Sequence, residues 1–351
     1  MSKNHTKQRL KNTQYQSKKR QSILAYSALF LSTLIWALAT VVIKITLNYI
    51  PLFTFLFYRF LIVGLVLLPF VIKELQKVKV PKSDLPTLVL LGILGQSGIL
   101  LIFAGIKYTT TIDAAILGAI APLFIIAGGH YFYKDKLTPK LKKGMVLALI
   151  GTLIVALEPI FAPISHNAEA IINTQTYSTT WRIIGNILVL IYNVSFAGYI
   201  ILSKEVMGEK SPVLTGTLKE VSIKPLKGKY TPFLHTALSF YIALGTFLPF
   251  AVLEKVGYFG ATPTTFSIAE ITIVPLMGLL YMALISSIIA YTVFQWGLDR
   301  TSASDTGMFS YLGTVLTLPF SFVLLGELPT GITLLGTFLI AAGVVIAEKK
   351  G

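Results

Sequence analysis

Residues 105–115 read GIKYTTTIDAA, and residues 297–307 read GLDRTSASDTG. Both open with Gly followed by Ile or Leu, both place Thr four residues after that Gly and Asp eight after it, and both lead into a long apolar run. A pattern written twice, 192 positions apart, points to an internal repeat.

Outward from these stretches the register holds without a gap from Gly105 to Gly151. Thr109, Asp113, Thr138, Gly144 and Gly151 face Thr301, Asp305, Thr330, Gly336 and Gly343, and Asp135 faces Glu327. Further upstream the offset changes. Ala37 and Lys44 match Ala197 and Lys204 at 160 positions; Pro69, Phe70 and Glu74 match Pro249, Phe250 and Glu254 at 180. The changes fall at 208–232 and 257–270, which read as loop insertions rich in Gly, Pro, Thr and Lys.

Composition fixes the medium. The chain of 351 residues is 54% hydrophobic and 13% charged, about half the charged share of a soluble domain. It has no Cys, so disulfides, thiol catalysis and thiolate metal sites are excluded. Ten apolar runs of bilayer-spanning length are expected, at about 22–43, 51–72, 85–106, 112–133, 142–160, 182–203, 233–253, 271–297, 305–325 and 331–347. The first continues past the signal-like ALA at 37–39 and is read as an uncleaved helix. Pro69, Pro122, Pro249, Pro275 and Pro319 fall inside runs, where kinks are tolerated.

The net charge of +15 would suit a nucleic-acid partner if it were gathered on one module. Instead, 25 of the 30 Lys and Arg lie in the N-terminal tail, in alternate connections and after the last run. This is the bias of cytoplasmic loops. A multi-pass protein of the plasma (inner) membrane is therefore expected, with both termini cytoplasmic, the bilayer as its partner and no nucleic acid. Residues 1–21 read as a disordered basic tail, 22–160 as one five-helix repeat, 161–181 as an external loop, and 182–347 as a second repeat with a Lys-rich insertion at 204–232. Five is odd, so the second copy enters the membrane from the opposite side. The expected fold class is an all-α integral membrane protein of ten helices in two inverted repeats, an arrangement used by secondary transporters.

At this point the sequence resembles the EamA-type members of the drug/metabolite transporter superfamily. The resemblance is carried by residues 105–124 and 134–157, and by 288–347 with the turn LGELPT at 325–330 followed by Gly336-x6-Gly343. IWALATVVIK at 35–44 and FYRF at 57–60 also fit. The chain departs from the pattern at Lys134-Asp135-Lys136, where Glu is usual, at Thr314, where Pro is common, and in the insertion at 208–232. The resemblance implies transport of a small metabolite, amino acid or drug-like solute through a cavity lined by spans 1, 3, 4, 6, 8 and 9.

Polar stripes inside the runs mark candidates for that cavity. Tyr192, Ser195, Tyr199 and Ser203 share one face of span 6 beside Asn193, and Ser310, Thr314, Thr317 and Ser321 share one face of span 9. Ser287, Tyr291 and Gln295 repeat every four residues in span 8; Trp36 and Gln96 lie in spans 1 and 3. The alternative for each is helix packing, since Ser and Thr also bond neighbouring helices. Arg59 could attract an anion or a carboxylate, snorkel to the outer interface or pair internally, and His130 could titrate in a coupled cycle or sit at the interface. Asp113, Asp305 and Glu327 suit helix N-termini, and Gly128, Gly129, Gly144, Gly151, Gly336 and Gly343 suit close packing.

An intramembrane enzyme would need a convergent nucleophile, base or metal cluster, and a channel a filter or charged ring. Neither pattern is visible, so a carrier with no cofactor and no metal is expected. Its partners are a small-molecule substrate and, as an allowed arrangement, a second copy of the chain.

Overall fold

In the computed structural model, residues 2–134, 136–161, 177–207, 229–258, 267–298 and 303–348 are described, with Ser211, Val213, Ile223 and Leu226. Within helices, the side chains of 2–22, 204–207, 232, 270, 295, 298, 303–311 and 348 lie outside the description. So do most of the expected external loop 161–181 and the insertion 204–232.

The described residues are helical, with no strand. We number the long helices in chain order. They are α1 (Ser2–Thr46), α2 (Leu52–Lys77), α3 (85–108), α4 (111–133), α5 (Pro139–Phe161), α6 (Thr179–Met207), α7 (Pro232–Lys255), α8 (273–298), α9 (Ala303–Leu325) and α10 (Gly331–Glu348). Eight stretches, in α1 to α8, are long and apolar enough to cross a membrane; Leu312–Leu325 and Gly331–Ala347 are shorter apolar stretches. Leu65, Phe70, Leu153, Phe161 and Phe338 are more than half exposed, as expected of faces turned to lipid rather than water. The chain is a multi-pass membrane protein.

Local chemistry sets the helix limits. The backbone of α1 runs back to Ser2, through the segment the sequence reads as a disordered tail; 2–46 holds no Gly or Pro to stop it. Thr138 caps α5 by accepting from the Leu141 N–H at 3.2 Å, and Thr330 caps α10 by accepting from Thr333 at 3.2 Å. Those two Thr are aligned in the repeat, so their identity records one capping rule used twice. The turns before these helices also agree. Lys134 has φ of 62° and Gly326 a φ of 64°, and the two stand 192 positions apart. The second half uses the residue that tolerates the left-handed conformation, and the first half does not.

Pro69, Pro249 and Pro319 stay inside continuous helices, whereas Pro122 interrupts α4. With no N–H at 122, the chain takes i−3 bonds from Ala119 to Ile116 (3.1 Å) and from Ile120 to Leu117 (3.4 Å). π-Helical turns replace α geometry at Ile93–Ser97, Gly129–Tyr133 and Tyr281–Ile289.

The main contacts join α5 to α10, α2 to α7, α1 to α8 and α9, and α6 to α3 and α4. α2 also meets α8, and α3 meets α7. At the α5–α10 crossing backbones touch. A Cβ on Gly144 would stand 2.3 Å from the Gly343 oxygen, and one on Gly151 would stand 2.6 Å from that of Gly336. The core is aromatic at its centre, with Phe55, Phe60, Phe103 and Phe247 fully buried.

Candidate functional site

Two polar regions interrupt this apolar bundle, one at its centre and one at an end. The central region is built on Arg59. Arg59 is the eighth residue of α2, about 12 Å along the helix. Its side chain is packed inside the bundle, with only 3% of it exposed. Its guanidinium carbon lies 5.2 Å from the ring centres of both Phe60 and Phe103. Nε donates to Ser287 Oγ at 3.1 Å. Ser287 in turn donates to the Met282 carbonyl at 2.8 Å inside the π-helical part of α8, so its oxygen is oriented to accept. Nη1 is buried with no hydrogen-bond partner, and no described carboxylate pairs with Arg59.

The balance of terms marks this as unusual. Two desolvated cation–π contacts return about 2 kcal/mol each, while removing one ion from water costs several. A buried cation without a described counter-charge makes Arg59 a candidate functional residue.

Aromatic walls extend from Arg59. Phe60 lies 5.9 Å from Phe240, which lies 6.1 Å from Tyr291. Tyr291 meets Trp36 edge-on at 5.2 Å, and the Trp36 indole N–H donates to the Ser286 carbonyl at 3.1 Å. The structure thus brings Trp36, Ser287 and Tyr291 together with Arg59. Tyr192 is within electrostatic reach of Arg59 and Tyr291, and it stacks through Phe196 towards Tyr199. The Tyr199 ring covers Gly95, where a Cβ would come within 3.0 Å of it. Next to it Gln96, 8% exposed, carries a buried side-chain oxygen with no partner.

Other candidates are placed elsewhere. Asn193 donates to the Leu117 carbonyl at 2.8 Å and Thr314 to that of Ala115 at 3.0 Å, both in the part of α4 loosened by Pro122. Thr317 and Ser321 bond Ala37 and Thr111, so the polar stripe of α9 runs along α1 and α4. His130 is exposed in the last turn of α4. The side chains of Gln295 and Ser310 lie outside the described residues. Phe60, Phe103 and Phe240 escape sequence reasoning because a Phe in a bilayer helix carries no signal of its own. The motif FYRF is the one hint.

The second region closes the end where α1, α3, α5, α7 and α9 finish. Arg182 of α6 bridges Asp113 of α4 at 3.2 Å and Glu158 of α5 at 2.8 Å, all three almost fully buried. Glu158 also accepts from the Thr330 hydroxyl, and Asn186 binds Thr109 and the Val155 and Ala156 carbonyls. Lys44 caps the end of α3 by donating to the carbonyls of Ile106, Lys107 and Thr109. Glu327 is a helix cap as its position suggests, but it caps α4 rather than its own α10. Outside this cluster, Glu254 caps the start of α2 through Phe53 and Thr54. The missed members, Glu158 and Arg182, look like span-end charges in the sequence; only their mutual contact marks them. At the opposite end the described ties are fewer: Asp84 accepts from Lys229 and Tyr230, each at 2.6 Å, and Tyr133 donates to the Ile201 carbonyl.

A bundle of apolar helices around a polar, aromatic-lined centre defines a membrane transporter, and comparison with known proteins gives the family. Residues 23–157 and 220–348 match the EamA-like transporter family, to which this chain belongs. An uncharacterized transporter of Archaeoglobus fulgidus is 26% identical over 92% of this chain and 96% of its own length. A probable amino-acid metabolite efflux pump of Salmonella typhimurium is 29% identical over 90% and 92%. A protein of known crystal structure, 17% identical, superposes with a TM-score of 0.52 over 94% of this chain and 96% of its own, a likeness of fold. The relatives bear the names of transporters, not of enzymes.

Proposed function

We propose that the chain is a secondary carrier built of ten spanning helices in two inverted five-helix repeats. It moves a small solute, such as a metabolite or amino acid, through the central region by alternating access. The observation that carries this reading is the α5–α10 crossing. Gly144 meets Gly343 and Gly151 meets Gly336, and moving each residue by the repeat offset of 192 turns one pair into the other. A two-fold relation between the halves gives that reciprocity.

Further contacts support it. Renumbering each helix by five exchanges α1–α9 with α6–α4, α1–α8 with α6–α3, and α2–α8 with α7–α3, and leaves α2–α7 and α5–α10 unchanged. Gly105 packs on Gly185 and Val189, and Gly297 packs on Ala25 and Leu29, the same contact at offsets of 192 and 160. The π-turn Ile93–Ser97 falls, at offset 192, inside the π-turn Tyr281–Ile289.

Alternating access then assigns a task to the polar end. Its bonds run between halves: Arg182 to Asp113 and Glu158, Glu327 to Thr111, and Thr330 to Glu158. We read it as the closed gate of this conformation, on the external side if the basic connections are cytoplasmic. Rocking one half against the other exchanges these bonds for water. The test is solute counterflow in liposomes holding the purified protein. Saturable exchange supports a carrier; non-saturating flux indicates a channel; turnover of a solute without flux indicates an enzyme.

A further inference from the structure

We infer that Arg59 is the anchor for a carboxylate on the transported solute, and that the neighbouring rings hold that solute's apolar body. This rests on the carrier reading and narrows it to a substrate class.

A guanidinium presents five donors in a rigid fork and no acceptor. Here Ser287 engages Nε alone, which fixes the plane of the group, and Nη1 stays buried without a partner. A carboxylate matches such a fork with two parallel bonds and supplies the missing negative charge. No carboxylate of the described chain does so.

A structural role accounts less well for the same facts. A packing cation in lipid pairs with an acid or with helix-end carbonyls, as Arg182 and Lys44 do in this molecule. Arg59 does neither. Nor does the fold need a cation there. At the offset of 180 that maps α2 onto α7, its counterpart is Ser239, which donates to its own helix at the His235 carbonyl. The charge is present in one half only, as a site for one asymmetric solute requires.

The surroundings define the rest of the ligand. Phe60 and Phe103 flank the guanidinium, and Tyr192 and Tyr291 are the polar groups within its electrostatic reach. No described acid stands with them to meet a second, cationic group. Flat apolar walls with a single fixed cation select a small monoanion or a zwitterion over a neutral or dicationic solute. A bound monoanion neutralises the buried charge, which also lowers the cost of moving the site between its two orientations, whereas a zwitterion pairs the guanidinium locally and leaves the net charge unchanged.

The test uses the full chain in nanodiscs and three probes of one size, phenylacetate, phenylalanine and phenylacetamide, titrated by calorimetry. Binding of either acid, with the amide weaker by at least about tenfold, is the expected result. Phenylacetate alone identifies a simple organic acid as the class, and phenylalanine an amino acid. Arg59→Gln lowers acid affinity by at least about tenfold, and Arg59→Lys recovers part of it as a point charge. The thermal midpoint of the empty Arg59→Gln protein stays level or rises, because an unpaired buried cation adds no stability. Equal binding of amide and acid, no binding of either acid, or unchanged acid affinity in Arg59→Gln overturns the assignment. So does a fallen midpoint with unchanged affinity, which makes Arg59 a packing residue. Counterflow of the bound acid separates the two readings. Acid binding without flux keeps the anchor and removes the carrier; flux that ignores Arg59 keeps the carrier and removes the anchor.

Discussion

Glu327, in the turn between α9 and α10, accepts hydrogen bonds from the backbone N–H groups of Thr111 at 2.8 Å and Ile112 at 3.2 Å, at the start of α4. A carboxylate from one half thus satisfies orphan donors of a helix in the other. It also meets the favourable end of that helix's dipole. The bond that stabilises the helix is therefore also a bond that holds the halves together, and its strength depends on protonation.

Burial pushes the Glu327 carboxyl above its ordinary range, against the opposing pull of Lys44, the Thr111 hydroxyl and the two N–H groups. With the folded value raised, the folded state takes up the proton first. Stability contributed through this group therefore falls as pH rises from about 4.3 toward the raised value. Thermal midpoints of purified protein across that range should decline in the wild type and flatten in Glu327→Gln. A slope unchanged by the substitution removes Glu327 from the pH response.

Lys134 occupies the left-handed conformation that Gly326 occupies in the second half. A side chain there costs about 1 kcal/mol or more, part of which glycine returns to unfolded-state entropy. Lys134→Gly should stabilise the protein by up to about 1 kcal/mol, and Gly326→Lys should destabilise it by a similar amount. Thermal unfolding of both variants checks the sign, and loss of stability in Lys134→Gly contradicts the prediction.

The α5–α10 crossing has no room for a side chain. Gly144→Val forces the helices apart against the Gly343 oxygen and Ala347, and a loss of several kcal/mol, at least about 3, is expected. Gly198 meets nothing within 4 Å, so Gly198→Ala should be neutral or gain up to about 1 kcal/mol. Comparable losses in the two variants count against close backbone packing as the cause.

Asn193 and Tyr291 separate packing from binding. Asn193→Ala strips the Leu117 carbonyl of a donor beside the break in α4, at a cost of about 1–3 kcal/mol in stability. Tyr291→Phe keeps its ring contacts with Trp36 and Phe240 and should leave stability within about 0.5 kcal/mol. Its expected effect is on solute affinity, about fivefold for one lost hydrogen bond. Unfolding and counterflow measured on the same two variants show whether the effects divide in this way.

Orientation can be read by labelling, since the chain has no Cys of its own. Ser178→Cys, exposed before α6, should react with an impermeant thiol reagent outside intact cells, and Lys142→Cys, exposed at the start of α5, should not. Ser211, in the basic insertion, is a poor reporter because it is buried against the Phe132 carbonyl. The reverse pattern inverts the proposed topology.

The sequence by itself determined the class of this protein. Long apolar runs can be read without a fold because a bilayer imposes length and hydropathy on each helix separately. The match of Thr138 with Thr330 was legible as a repeat identity, and the structure shows what it records, a cap that acts within one turn of chain. What faces each stripe was decided only by tertiary structure. Periodicity places Thr314, Thr317 and Ser321 on one face of α9, but α1 and α4 turn that face into a seam. Arg59 and Arg182 are alike as letters, each a lone cation in or beside an apolar run. Folding gave Arg182 two carboxylates from residues 69 and 24 positions away, and gave Arg59 two phenyl rings and a serine. The difference is physical. Inside a bilayer a charge takes its meaning from the few groups within hydrogen-bond reach, and those groups arrive from distant parts of the chain.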